Sequence, residues 1–151
     1  MKSKTICPEE QCTGCATCMN KCPKQCITMQ EGTLGHLFPQ IDAIQCIHCD
    51  LCVKVCPANH PIIGTYPLKV YAGRIKNIDE YKSSTSGGIA TALSQYVIEQ
   101  GGIVYGAACM EEIDIRHIRI EKKEDLQLLK GSKYVQSGIH NTYKNLSLIH
   151  I

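Results

Sequence analysis

The sequence predicts an α+β protein in which a small N-terminal domain, built on a repeated cysteine run, precedes a segment of α/β character. Three observations lead to this prediction. Two runs of four cysteines, which begin at Cys12 and Cys46, have the same internal spacing. Strand-like stretches and a turn lie between the two runs. Beyond residue 62, apolar positions alternate between the two-residue period of strands and the 3.6-residue period of helices.

The composition is that of a globular protein. The 151 residues suffice for one ordinary domain, or for one small domain and part of another. A formal net charge of +2 and the lack of a basic stripe argue against nucleic-acid binding. No stretch resembles a secretion signal or is apolar over a spanning length. We therefore expect a cytoplasmic protein with no nucleic-acid partner and no membrane span.

Cysteine is the unusual component. The chain has eleven cysteines, and all of them except Cys109 lie between Cys7 and Cys56. An odd count and the missing secretion signal argue against a disulfide framework. In a reducing compartment, clustered cysteines indicate a metal site.

The repeat indicates which metal is bound. Each run reads C-x2-C-x2-C-x3-C-P, so its first three cysteines can wrap one corner of an iron–sulfur cube. The x3 gap makes one helical turn, and the proline then turns the chain away. Two-cluster ferredoxins share this run, and their fourth cysteine binds the other cluster. We predict two 4Fe-4S clusters, one held by Cys12, Cys15, Cys18 and Cys56 and the other by Cys46, Cys49, Cys52 and Cys22.

Zinc is the main alternative, but zinc sites usually gather two separated pairs of ligands. Three cysteines lie outside the runs. For Cys7, Cys26 and Cys109, a buried structural role is favoured over a spare ligand or a redox-active thiol. His36 and His48 lie near the runs and are candidates for tuning the clusters through hydrogen bonds to sulfur.

The N-terminal domain is expected over residues 1–62. The stretches "CITMQ" and "HLFPQI" favour strands, and "QEGTLG" between them favours a turn, which predicts a hairpin. Together with the cysteine runs, this indicates a two-cluster bacterial ferredoxin-like domain. Its apolar content is small, so we expect the clusters to form its core and the metal-free domain to be largely unfolded.

The rest of the chain predicts an incomplete α/β domain. Residues 63–82 form a linker and a first strand, placed at Leu68–Ile75. A helical stripe over Gly88–Gln100 follows, then a buried strand in "IVYGAA" and a second strand in "DIRHIRIE". "KKEDLQLLKGS" predicts a short helix. We assign residues 83–151 to this domain.

The stretch "SSTSGGIATAL" at the start of the long helix has two interpretations. Ser86 can cap the helix by accepting from its first N–H groups. The same geometry leaves N–H groups free for an anion at the positive helix end. From the residues alone, the cap is the favoured interpretation. No nucleophile–base pair stands out, so no catalytic residue is assigned.

The order of motifs resembles the coenzyme F420 hydrogenase/dehydrogenase beta-subunit family. The resemblance is carried by the tandem cysteine runs, by Ser-x-Ser-Gly-Gly at residues 84–88, by "GGIVYGAAC" and by "GSKYVQS". It implies an iron–sulfur flavoprotein, of bacterial origin, that passes electrons between 4Fe-4S clusters and FAD, coenzyme F420 or another redox partner. It also implies cofactor binding by Ser84, Ser86, Gly87 and Gly88.

The chain departs from the family in two respects. His36 stands in "GHLFP", where the family commonly has an aromatic residue. Family members also continue for a few hundred residues, through a "G-T-P-C-Q" type motif. We therefore expect a truncated member that lacks its C-terminal domain, with residues 146–151 as a candidate non-native tail.

Three functions fit these observations. The first is the electron-transfer module of an oxidoreductase that works with a flavin or deazaflavin partner, and the resemblance favours it. The second is a stand-alone ferredoxin-type carrier, which passes electrons to a redox partner protein. The third is a non-catalytic accessory protein in a polysaccharide-synthesis pathway.

Overall fold

The computed structural model describes residues 4–61, 63–111 and 113–149. These residues fall into two compact units, one within Met1–Thr65 together with Ile139–Ile151 and one within Tyr66–Gly138. Both units combine short helices with a small antiparallel sheet, so the predicted α+β class is confirmed. Among the helices of the described residues, none has the length and apolar character needed to span a bilayer.

The first unit is built from paired elements. Its helices are α1 (Thr17–Lys21) and α2 (Leu51–Lys54), each preceded by a cysteine-bearing loop. Its strands β1 (Ile27–Glu31) and β2 (Leu37–Ile41) pair antiparallel, with Ile27 opposite Ile41. The predicted hairpin is thus confirmed. A 3₁₀ turn over Glu9–Gln11 precedes the first loop.

Cysteine supplies most of the interior of the first unit. Five of the seven residues in its buried cluster are cysteines, and Ile6 and Ile27 complete it. So small an aliphatic core offers little hydrophobic stabilisation for a unit of this length.

A C-terminal helix also belongs to the first unit. This helix, α5 (Thr142–Ile149), packs on α1, where Asn20 Nδ2 donates to the carbonyl oxygen of His140 at 2.7 Å. Our predicted division assigned the segment to the second domain, whereas here it packs with the first. The limits 1–62, 63–82 and 83–151 stay a prediction. Of the candidate non-native tail, His150 and Ile151 lie outside the described residues.

Within the described residues, the second unit contains two α-helices, one 3₁₀ helix and one hairpin. The helices are α3 (Ile78–Lys82) and α4 (Ile89–Glu99). The strands β3 (Val104–Cys109) and β4 (Ile115–Ile120) pair antiparallel, with Gly106 opposite Ile118. A 3₁₀ helix covers Lys123–Leu129. The predicted α4 and β4 are confirmed, and the predicted short helix takes the tighter 3₁₀ form.

The strand predicted at Leu68–Ile75 is wrong. That stretch has no regular secondary structure, and the Leu68 side chain is fully exposed. Alternating apolar residues form a strand only when another strand pairs with them. Here the N–H of Ile75 donates to the carbonyl oxygen of Gly87 at 2.7 Å, which ties the stretch to the loop before α4.

Candidate metal centre and candidate cofactor pocket

Two cavities of nearly equal size lie in the first unit. They enclose about 350 and 340 Å³ of empty space, part of it open to solvent. Each is lined by one of the two cysteine quartets that the spacing groups together. Cavity 1 is lined by Cys12, Cys15, Cys18 and Cys56, and cavity 2 by Cys22, Cys46, Cys49 and Cys52.

The fourth cysteine of each run lines the cavity that is lined by the first three cysteines of the other run. Cys18 lies inside α1 and lines cavity 1, whereas Cys22, at the C-cap of α1, lines cavity 2. The same turn in α2 directs Cys52 to cavity 2 and Cys56 to cavity 1. Residues one helical turn apart share a face but end at different heights, so a single turn can serve two cavities.

The loops before the helices have the same unusual backbone. Gly14 and Ala16 have φ of +65° and +56° in the first loop. His48 and Asp50, at the equivalent positions of the second loop, have φ of +54° and +59°. Alternating right- and left-handed residues turn successive N–H groups to one side and form a concavity that favours anions. A 4Fe-4S cluster with four thiolates carries a net charge of about −2, so the loops suit such a group.

The quartet thiols are buried to different degrees. Burial raises the pKa of the Cys18 thiol to about 11, and burial also raises the pKa of Cys52. At Cys22, burial raises the pKa, but hydrogen bonds from the backbone of residues 24–26 and from the Cys26 thiol outweigh it and leave the pKa below its ordinary value. A metal that binds the buried thiols must displace their protons.

The quartets surround their cavities instead of converging on one point. Among the described residues, no group of three or more His, Cys, Asp and Glu side chains could hold a single metal ion. A cubane is ligated at four separate iron corners, so its thiolates stand around it. The donor chemistry and the loop shape fit a cluster in each cavity, and the ligand assignment itself stays a prediction.

The cysteines outside the runs have different environments. Cys26 is buried and Cys7 is half-buried, and each lines one of the two cavities. Cys109 is exposed in β3, so the buried role expected for it is wrong. His36 Nε2 lies 2.8 Å from the carbonyl oxygen of Cys12, so the contact seen for this candidate is with a backbone oxygen and not with sulfur. His48 is exposed, and the structure shows no hydrogen bond from it to sulfur within the described residues.

A larger open pocket lies within the second unit. It holds about 1470 Å³ of empty space, much of it open to solvent. The Ser84–Gly88 loop and the first turn of α4 form one side, and residues 104–107 of β3 form another. Gly131 and Lys133 complete the rim. Two of the segments that carry the resemblance, Ser-x-Ser-Gly-Gly and "GSKYVQS", therefore meet at one pocket, although they lie far apart in the chain.

The four predicted cofactor residues, Ser84, Ser86, Gly87 and Gly88, line this pocket in different environments. Ser84 Oγ donates to the carbonyl oxygen of Glu80 at 2.6 Å, so the hydroxyl proton of Ser84 is already engaged in a hydrogen bond. The helix begins after Gly88, which has φ of +71°, and no side chain caps it, so the cap expected from Ser86 is wrong. Ser86 is exposed and has no side-chain hydrogen bond to any described residue. Gly87 and Gly88 lie where a Cβ would collide with residues 73–75. The uncapped N–H groups of α4 therefore border the pocket.

Sequence reasoning missed two residues of the pocket. Lys133 Nζ donates to three carbonyl oxygens, at 2.7 Å for Lys130, 2.9 Å for Leu129 and 3.4 Å for Leu128. Its charge is thus fixed at the rim, and no carboxylate among the described residues pairs with it. Tyr105 also lines the pocket, and its buried Oη has no hydrogen-bond partner among the described residues. Lys133 lies inside "GSKYVQS", so the motif carried a signal for it. Nothing in the sequence singles out Tyr105.

Comparisons with known proteins agree with the two-unit arrangement. A family model described as "4Fe-4S dicluster domain" matches residues 11–60. A second, described as "Coenzyme F420 hydrogenase/dehydrogenase, beta subunit N-term", matches residues 70–144. The chain is also similar to an "Uncharacterized protein in rpl9-rpl11 intergenic region" from Porphyra purpurea. The two are 41% identical over 56 residues, which cover 36% of this chain and 75% of that relative.

Proposed function

Because the chain belongs to the coenzyme F420 hydrogenase/dehydrogenase beta-subunit family, we propose that it passes electrons between two 4Fe-4S clusters and a flavin or deazaflavin. It carries an iron–sulfur electron-transfer domain and a beta-subunit-like domain. The clusters would occupy the two cavities of the first unit, and the flavin or deazaflavin the pocket of the second. A reducing compartment keeps cysteines free to bind iron, so a cytoplasmic location is part of the proposal.

One observation carries the proposal. The two quartets line separate cavities, and each quartet takes three cysteines from one run and the fourth from the other. Two independent zinc sites would not need this exchange, because each run could then serve its own metal. When bound, 4Fe-4S clusters accept and donate single electrons, and the protein sets their position and potential.

Features of the cavities and of the pocket favour binding of the proposed cofactors. The loops at residues 12–18 and 46–52 direct N–H groups toward the anionic site. In the pocket, Lys133 and the uncapped end of α4 favour an anionic group such as a phosphate. Apolar side chains such as Val104 and Leu129 line the same pocket and suit a ring system.

The cluster half of the proposal is tested by anaerobic reconstitution. We expect about eight iron and eight sulfide per chain, with a broad visible band that dithionite bleaches. Stoichiometric zinc, or about four iron per chain, would contradict the two-cluster assignment.

The cofactor half is tested with matched variants of the pocket. We expect Lys133→Gln to weaken binding of FAD or coenzyme F420 about tenfold or more, because it removes a fixed positive charge. Lys133→Arg keeps the charge and controls for it. Ser86→Ala is compared with Ser132→Ala, an exposed serine outside the pocket. Equal affinity in all four variants would exclude this pocket. Clusters that exchange electrons with a redox protein but with no flavin would favour the ferredoxin-type carrier.

A further inference from the structure

Each cavity has a fifth cysteine beside its quartet. Cys7 lines cavity 1, and Cys26 lines cavity 2. The two come from different positions of the repeat, because alignment of the two runs matches Cys7 with Ile41 and Cys26 with His60. The repeat alone therefore does not account for a fifth thiol in both cavities.

Cys26 is held directly against one of the quartet. Its Sγ lies 3.4 Å from the Sγ of Cys22, and both side chains are buried. The turn that brings them together is stabilised by the N–H of Gln25, which donates to the carbonyl oxygen of Cys22 at 3.2 Å. Gln25 has φ of +51°, a left-handed conformation that is unfavourable for a residue with a Cβ. Backbone strain that brings two thiols together is typical of a functional site.

Cys7 has the matching position in cavity 1. It lines this cavity together with Cys56 and Cys12, and it packs against the buried cluster that contains Cys56. In both cavities the fifth cysteine thus shares its cavity with the quartet member supplied by the other run, which is Cys22 in cavity 2 and Cys56 in cavity 1.

We propose that Cys26 and Cys7 are reserve ligands that replace Cys22 and Cys56 at their clusters. The inference rests on the proposed function, since it needs a cluster in each cavity. In the exchange, the incoming thiol gives up its proton as its sulfur binds iron, and the outgoing sulfur takes up a proton as its bond to iron breaks. No electron moves, so no oxidant is needed. If Cys26 is only a structural residue of the hydrophobic core, it does not replace Cys22 as an iron ligand.

Alanine variants of the full chain separate the two roles. Wild type, Cys22→Ala, Cys26→Ala and the double variant are reconstituted anaerobically, and iron and sulfide are counted per chain. We expect about eight iron for wild type and for both single variants, and about four for the double variant. The reduced Cys22→Ala protein should also give an altered electron paramagnetic resonance signal, because one sulfur ligand has moved. The same series with Cys56 and Cys7 tests cavity 1 independently.

Cys49→Ala is the matched control, because the sulfur of Cys26 is in contact with Cys22 and, within the described residues, no sulfur–sulfur contact is seen for Cys49; this variant should fall to about four iron. If Cys22→Ala also falls to about four, or loses both clusters by misfolding, Cys26 is not a reserve ligand. Eight iron in the double variant overturns the inference as well. Fewer than eight in wild type overturns the proposed function itself, so the two failures are distinguishable.

Discussion

Adding a methyl group to the glycines before α4 separates two reasons for their presence. A Cβ on Gly87 would lie 2.7 Å from the carbonyl oxygen of Gly73, a backbone atom that has no rotamer to change. A Cβ on Gly88 would lie 2.7 Å from Ile75 Cγ2, and Gly88 also has φ of +71°. Gly101 supplies the control, because it has φ of +76° and no heavy atom within 4 Å of an added Cβ.

These three positions predict an order of stability loss. A left-handed alanine costs about 1–2 kcal/mol, and overpacking costs about 1–3 kcal/mol. We expect Gly101→Ala to lose about 1 kcal/mol from strain alone, and Gly87→Ala to lose about 2–3 kcal/mol from the contact alone. Gly88→Ala combines both and should lose about 3–4 kcal/mol. The lower entropy of the unfolded alanine chain favours all three equally, so it does not change the order.

Urea unfolding followed by circular dichroism measures these losses, provided that the slope of the unfolding free energy against urea concentration is the same in all variants. Iron content of the reconstituted protein serves as a separate control on the first unit. A Gly101→Ala loss as large as that of Gly88→Ala would refute the packing argument and leave strain alone. A neutral Gly87→Ala would refute the close approach to residue 73.

Two further predictions concern helix ends. The Asn77 side chain accepts from two first-turn N–H groups of α3, so Asn77→Ala should lose about 1 kcal/mol of stability. Asn77→Asp keeps an accepting oxygen and should retain this stability. Equal losses for both variants in urea unfolding would argue against the cap. Asn20→Ala should speed hydrogen exchange of the α5 amides, since it removes the bond to the carbonyl oxygen of His140, whereas Asn145→Ala on α5 itself should not. Unchanged exchange in Asn20→Ala would show that α5 is held by other contacts.

The sequence predicted the features that local chemistry determines. The cysteine spacing is such a feature, because the short gaps and one helical turn determine which thiols can share a cavity. The β1–β2 hairpin and α4 follow from turn residues and apolar periodicity in the same way.

Long-range contacts account for the errors. The apolar residues of Leu68–Ile75 could form a strand only if paired, and no propensity reveals that the partner is missing. Ser86 has a good residue type for a cap, yet the close approach of Gly88 to Ile75 starts the helix two residues later. The convergence of Ser86 with Lys133 and the buried hydroxyl of Tyr105 likewise depend on tertiary packing, so the sequence could suggest the loop but not the pocket.

Backbone strain links the cavities to the stability of the first unit. All five of the non-glycine residues with positive φ in the described chain lie in this unit, namely Ala16, Gln25, His48, Asp50 and His140. At about 1 kcal/mol each, they cost about 5 kcal/mol, which is comparable to the whole stability of a small domain. The aliphatic core that would have to offset this cost contains Ile6 and Ile27 and little else. Three of the five form the ligand loops and a fourth turns Cys26 against Cys22, so the strain is concentrated where the thiols are positioned. A unit arranged in this way is stable only if what its cysteines bind contributes to folding, and this requirement is the physical reason to regard the clusters as its core.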